Sequence, residues 1–184
     1  MKKYVVSVAL IFSIVNVFSQ VWERAYGLGN EDSGSDLDVT KDNGVVVGGM
    51  TKSAGAGGYD TYFLKLDELG NIVWCKAYGT DREYDNFWET HTTEDNGFIG
   101  SGYSAYTSPP WTYNATLVKV DSTGNNIEWA KKWSPDIAIA TIDLDGGIIV
   151  ASQYIGLVKF DKNGNKQWVK RVDPPGLHYW RRVL

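Results

Sequence analysis

The side chains with the widest catalytic repertoire are scarce in this chain. Its 184 residues hold two histidines, His91 and His178, and one cysteine, Cys75. Nucleophilic catalysis needs a hydroxyl or thiol within reach of a base that a third group orients, and a zinc site needs Cys and His at short spacings. Neither can be assembled from His91, which lies between threonines in a strand-like stretch, and His178 in an irregular C-terminal stretch. Cys75 adjoins Trp74 in an apolar run and reads as a small buried hydrophobe, and a lone cysteine makes no intrachain disulfide. Carboxylates come in pairs, but many of them recur in repeated turns. The sequence therefore predicts no catalytic group, no metal set and no cofactor.

Binding chemistry has more support. Tyr106, Trp111 and Tyr113 cluster in one loop around Pro109-Pro110, Tyr59 and Asp60 end another, and Asp81 opens a third. Aromatic rings of this kind stack on sugar faces while carboxylates accept hydroxyl bonds, so Tyr59, Asp60, Asp81, Tyr106, Trp111 and Tyr113 are the candidate ligand contacts. The competing reading makes the rings a cover for a sheet edge. The acidic loops at Asn30-Glu31-Asp32 and Asp81-Arg82-Glu83-Tyr84-Asp85 carry calcium-type oxygen ligands without a recognised ligand spacing. They read as solvated loops.

What must position these loops is a repeat. Leu64-Lys65-Leu66-Asp67-Glu68-Leu69-Gly70-Asn71-Ile72-Val73-Trp74 returns as Val118-Lys119-Val120-Asp121-Ser122-Thr123-Gly124-Asn125-Asn126-Ile127-Glu128-Trp129, and again from Val158 through Asp161 and Gly164 to Trp168. Each copy is an apolar strand, an Asp-Xaa-Xaa-Gly turn and a second strand with a tryptophan. Asp accepts backbone N–H bonds in such a turn and Gly takes its left-handed position. The second copy has one extra residue between Gly124 and Trp129, which a β-bulge would absorb. Trp74, Trp129 and Trp168 read as core. Lys65, Lys119 and Lys159 repeat at one position and read as structural, stem packed and ammonium in solvent.

A second turn alternates with the first: Thr40-Lys41-Asp42-Asn43-Gly44, Thr93-Glu94-Asp95-Asn96-Gly97 and Asp143-Leu144-Asp145-Gly146-Gly147, each before an apolar run. Such dipeptides between strand-like runs signal hairpins. The residues around Trp22 match those around Trp74, so the mature chain opens on what reads as the last strand of a further repeat. Trp22, Trp74, Trp129 and Trp168 lie 52, 55 and 39 residues apart, a period suited to four-stranded propeller blades. The predicted fold is all-β: a β-propeller-like array of about three four-stranded antiparallel blades plus one N-terminal strand, an incomplete ring over residues 20–172.

The sequence of turns, Lys-Xaa-Asp-Xaa-Xaa-Gly-Asn, Trp and Tyr-Gly resembles extracellular bacterial β-propeller repeats, themselves distantly similar to quinoprotein-type Trp-motif blades. The resemblance spans about residues 21–171. It implies blade architecture and no particular activity. The chain lacks the longer Asp-to-Gly spacing of the quinone-dependent enzymes and is much shorter than their rings.

At the N-terminus, Met1-Lys2-Lys3 precedes an uncharged run from Tyr4 to Ser19. This pattern predicts a signal peptide over residues 1–19, hence export to the cell surface, the medium or the periplasm, without stable membrane insertion after cleavage. Loss of Lys2 and Lys3 takes the formal charge from −4 to −6. No basic stripe remains, which argues against a nucleic-acid partner. Residues 173–184 match no blade strand and read as an irregular tail. Closed propellers use four to eight blades, so three blades read as a fragment of a longer protein, a homo-oligomer meeting through exposed blade faces, or an array capped by its ends. The expected function is non-catalytic binding or scaffolding outside the cell, toward a surface glycan or a protein. The alternatives are a lectin-like propeller completed by oligomerisation and a remnant of a propeller enzyme.

Overall fold

The computed structural model describes residues 22–27, 29–79, 84–106, 112–134, 136–152 and 155–171. The proposed signal peptide, Asp81, Trp111 and the C-terminal tail lie outside them. Among the described residues no helix is long and apolar enough to cross a membrane. All regular structure among the described residues is β. Sheet 1 holds β1 (Asp32–Val39), β2 (Val45–Thr51), β3 (Asp60–Leu66) and β4 (Ile72–Tyr78). Sheet 2 holds β5 (Tyr84–Thr92), β6 (Phe98–Tyr106), β7 (Thr112–Val120) and β8 (Ile127–Trp133). Sheet 3 holds β9 (Ala138–Ile142), β10 (Ile148–Ser152), β11 (Gly156–Phe160) and β12 (Lys166–Lys170). Each is an antiparallel meander in sequence order. The two short turns of a sheet therefore share one end and the loops share the other.

The turns form as their residues dictate. In the Asp-Xaa-Xaa-Gly turns, Asp67 Oδ1 accepts the N–H groups of Leu69 and Asn71 at 2.9 and 2.7 Å, and Asp161 repeats this with Asn163 and Asn165. The extra residue of the second copy lies in the turn itself. Asp121 N–H bonds to Asn126 O, where Asp67 and Asp161 reach Asn71 and Asn165. A bulge does follow Lys119, but the same bulge follows Lys65 and Lys159, so it belongs to the repeat and absorbs nothing particular to copy two.

Hydrophobic layers fill the spaces between sheets. Val46 and Phe63 meet Phe87, Phe98, Val118 and Val120, with Phe63 and Phe87 centroids 5.0 Å apart. On the far face of sheet 2, Ile99, Ala115 and Leu117 meet Ala138, Ala140, Ile148 and Val150. The remaining face of sheet 1, carrying Tyr62, Leu64 and Leu66, is covered by Trp22 and Tyr26. The stretch 22–27, expected as a strand, joins no ladder. It lies on this face and not along an edge, so no neighbouring strand is in register with its backbone.

The repeated tryptophans share a destination in the next repeat. Trp22 stacks on Gly70, Trp74 on Gly124 and Trp129 on Gly164: a Cβ placed on these glycines would lie within 2.9 Å of an indole carbon. Trp22 and Trp129 also donate Nε1–H to the carbonyls of Glu68 and Lys162, each at 3.1 Å. Four residues after the tryptophan, Tyr26 and Tyr78 donate to Gly70 O at 2.7 Å and Gly124 O at 2.6 Å. Trp168 instead meets the Lys170 ammonium, 5.1 Å from its ring.

The repeated lysines differ from expectation. Lys65, Lys119 and Lys159 are buried to the ammonium. Lys65 reaches both oxygens of Asp42 at 3.0 Å, Lys119 pairs with Asp95 at 2.6 Å and with Glu128, and Lys159 pairs with Asp143 at 2.7 Å and Asp145. Each draws a hairpin turn onto the third strand of its sheet, because a buried cation needs a partner.

Candidate functional site

Aromatic side chains run from the joint between sheets 1 and 2 onto the face of sheet 2 that turns toward sheet 3. Tyr59 and Tyr84 form an isolated parallel bridge with rings 4.8 Å apart. Tyr84 stacks on Tyr103 at 6.0 Å with planes 2° apart. Trp88 and Tyr113 then meet Tyr103 edge-on at 5.2 and 5.4 Å. Strand alternation explains the order: Tyr103 and Tyr113 share a face of sheet 2, next to the pair Ala105↔Tyr113 and opposite the start of β5. Trp88 joins them by the same alternation, two residues after Asn86, which pairs with Tyr103.

Three rings of this region face solvent: Trp88 at 37 %, Tyr106 at 39 % and Tyr113 at 42 % exposure. Tyr103 is half-buried, and desolvation pushes its phenol up to about 12, so it stays neutral at physiological pH. Tyr59 donates its hydroxyl to Glu31, which raises its pKa, and carries the Lys52 ammonium 5.2 Å from its ring. A strip of this kind offers flat apolar faces beside hydroxyl and carboxylate acceptors, the combination that grips a sugar ring or an apolar protein patch.

The sequence-predicted contacts divide. Tyr59 and Tyr113 belong to the strip, and Tyr106 ends β6 at the same loop rim, paired with Thr112. Asp60 does not reach a ligand at that rim: it is 1 % exposed, its carboxylate turned inward to accept the Gly57 N–H at 3.2 Å. Asp81 and Trp111 lie outside the described residues. Tyr84, Trp88 and Tyr103 were not singled out by sequence. Their signal was the aromatic alternation of β5 and β6, which reads equally well as packing.

Other clusters are structural in character. His91 Nε2 bonds Ala140 O at 2.8 Å, joining sheet 2 to sheet 3. Asp36 and Asp38 accept the N–H groups of Thr90 and Thr92 at 2.9 and 2.7 Å, joining sheet 1 to sheet 2. Cys75 is half-buried, and desolvation raises its thiol pKa. Polar clefts of about 370 and 340 Å³ open at the turn ends between sheets 1 and 2 and between sheets 2 and 3. The buried lysine in each, Lys65 or Lys119, already has its carboxylate partners. Among the described residues no three His, Cys, Asp or Glu side chains converge to hold a metal ion. No known family model matches the chain and no curated protein is similar to it.

Proposed function

We propose that the protein is an exported β-propeller-like array of blades acting as a non-catalytic binding module, with a surface glycan or an apolar protein face as its ligand. The observation that carries this reading is the connected strip of Tyr59, Tyr84, Tyr103, Trp88 and Tyr113, with Trp88 and Tyr113 open to solvent. Stacked neighbours hold these rings in place, so little side-chain entropy remains to be lost on binding. Export is supported by the basic start and uncharged run of the first 19 residues. Blade character is supported by three four-stranded meanders latched in series by Trp22, Trp74 and Trp129.

The test is retention of the purified protein on cell-envelope material and on a glycan array, alongside the double variant Tyr103→Ala/Tyr113→Ala. Saturable retention that the double variant loses supports the module. Equal retention of both proteins overturns it. A second reading, a lectin-like ring completed by association, draws on Trp168: its three counterparts each cover a turn glycine of a following sheet, and Trp168 covers none among the described residues. Concentration-dependent mass in solution, suppressed by Trp168→Ser, distinguishes that reading.

A further inference from the structure

Each joint between sheets has a front half and a back half, and ladder register shows which residues make them. On the front of sheet 1, the face turned to sheet 2, one row runs Asp38, Val46, Lys65, Trp74 and the next Gly48, Phe63. Sheet 2 repeats these rows toward sheet 3 as His91, Ile99, Lys119, Trp129 and Ser101, Leu117. Sheet 3 carries them a third time, as Thr141, Ile149, Lys159, Trp168 and Ala151, Leu157. Val46, Phe63, Ile99 and Leu117 are fully buried by the sheet in front of them. Ile149 and Leu157 are half-buried, and no described sheet lies over them. The hairpin turn before each second strand also leans forward: Lys41 donates to Glu94 O, and a Cβ on Gly146 would meet Glu94 at 3.1 Å. Leu144, next in that series, is fully exposed.

A back half lies open on sheet 1. Leu37 and Val39, which pair with Val47 and Val45, are 59 % and 62 % exposed. Their counterparts Thr90 and Ala140 are 1 % and 3 % exposed, held by Asp36 and His91 of the sheet behind. The outer part of the same face, around Leu64, Leu66 and Gly70, is covered by the stretch 22–27. Side chains hold that cover. Trp22 stacks on Gly70 and bonds Glu68 O, Arg24 bonds Gly70 O at 3.2 Å and Asn71 Oδ1 at 2.7 Å, and Tyr26 bonds Gly70 O. Trp74 and Trp129 make the same latch from strands paired along their length. The stretch 22–27 is in no ladder, and a segment without strand bonds opens at lower cost.

One chain thus carries both complementary halves of a joint that it already uses between its own sheets. We propose that the front of sheet 3 docks head to tail on the back of sheet 1 in a second copy, where the docking copy's Trp168 takes the place of Trp22 on Gly70. The stretch 22–27 is then an internal plug, since Trp22 must leave the glycine before the incoming tryptophan can enter. The proposal rests on reading Trp168 as an association surface, and adds the face it meets and the contact that restrains it. Molecules with the plug open are the ones that accept a partner, so the plug weakens the apparent affinity by the fraction open.

The experiment is light scattering of the purified protein over a concentration series, with variants that split the joint. Trp22→Ala opens the socket and lowers the concentration at which mass rises by about tenfold or more. Adding Trp168→Ser or Leu157→Asp returns that variant to a monomer, which separates docking from indiscriminate sticking of an uncovered face. Gly70→Asn expels Trp22 but fills the socket itself, and stays monomeric. A socket chain, Trp22→Ala/Leu157→Asp, mixed with a front-face chain, Leu37→Asp, forms a one-to-one pair although each alone is a monomer. A Trp22→Ala protein that stays monomeric means that another occupant covers sheet 3, and overturns the proposal. Growth that Trp168→Ser and Leu157→Asp leave unchanged overturns it too. If the parent's mass rises with concentration and Trp168→Ser suppresses this, but Trp22→Ala leaves the midpoint where it was, the association reading stands and the plug is overturned.

Discussion

The stacking of each tryptophan on a turn glycine of the next repeat makes a quantitative prediction. Two kinds of turn place a residue at positive φ. In one kind that residue is Asn43, Asn96 or Gly146, at 59°, 65° and 74°; in the other it is Gly70, Gly124 or Gly164, at 74°, 67° and 77°. Asparagine adopts this region more readily than other side-chain-bearing residues, and the first kind of turn accepts it. The second kind is glycine in every copy because an indole lies where a Cβ would go. On Gly124 a Cβ would meet Trp74 Cη2 and Cζ3 at 2.9 Å and the Tyr78 hydroxyl at 3.0 Å, whereas on Gly146 it would meet only the Glu94 side chain, at 3.1 Å. Gly146→Asn should therefore change stability by no more than about 0.5 kcal/mol, as ordinary surface substitutions do. Gly124→Asn, with the same backbone requirement, should cost about 1–3 kcal/mol through overpacking. Urea denaturation of both variants reads the difference. In a Trp74→Ala background the excess cost of Gly124→Asn should shrink, because the clash is gone. Equal losses at the two glycines would refute the latch.

Further predictions concern the buried lysines, acid and the thiol. Lys119→Met leaves Asp95 and Glu128, both with solvent access, and should alter stability by about 1 kcal/mol or less; Asp95→Ala/Glu128→Ala strands a buried ammonium and should cost about 3–5 kcal/mol by denaturant titration. For Asp95, desolvation works upward but hydrogen bonds from Lys119, Thr93 and Gly97 prevail, and its pKa falls to about 2. Asp42 also falls to about 2, held chiefly by the Thr40 hydroxyl and then by Lys65. Folded pKa values below the ordinary 3.8 mean that this stability is complete well above that value and is lost as pH falls toward 2. Tm in an acid series should drop across that window, and less steeply in Asp42→Asn/Asp95→Asn. Cys75, half-buried with a raised pKa, should react slowly with a thiol reagent at neutral pH and at full rate in denaturant.

Much of the architecture was legible because turn chemistry is local. Asp67, Asp121 and Asp161, with Gly70, Gly124 and Gly164, mark hairpins through bonds made within five residues, and their recurrence marks the sheets. What each tryptophan touches was not legible, since the partner glycine lies 48, 50 or 35 residues away in the next repeat. The lysine positions were visible as a repeat, but burial of their ammoniums depends on Asp42, Asp95 and Asp143 folding back across the sheet. In the candidate site, the exposed Tyr113 could be picked from a loop-flanking cluster. Trp88 could not, because its contact with Tyr103 depends on the register of β5 against β6.

The most direct test of the binding account is side-chain NMR of the protein titrated with a panel of soluble oligosaccharides and envelope extracts. The account predicts saturable shifts at the Trp88 indole N–H and the Tyr113 ring, while the indoles of Trp74 and Trp129, latched on Gly124 and Gly164, stay unmoved. Shifts confined to the latched indoles, or no shift at Trp88 and Tyr113 with material the protein demonstrably retains, would contradict it.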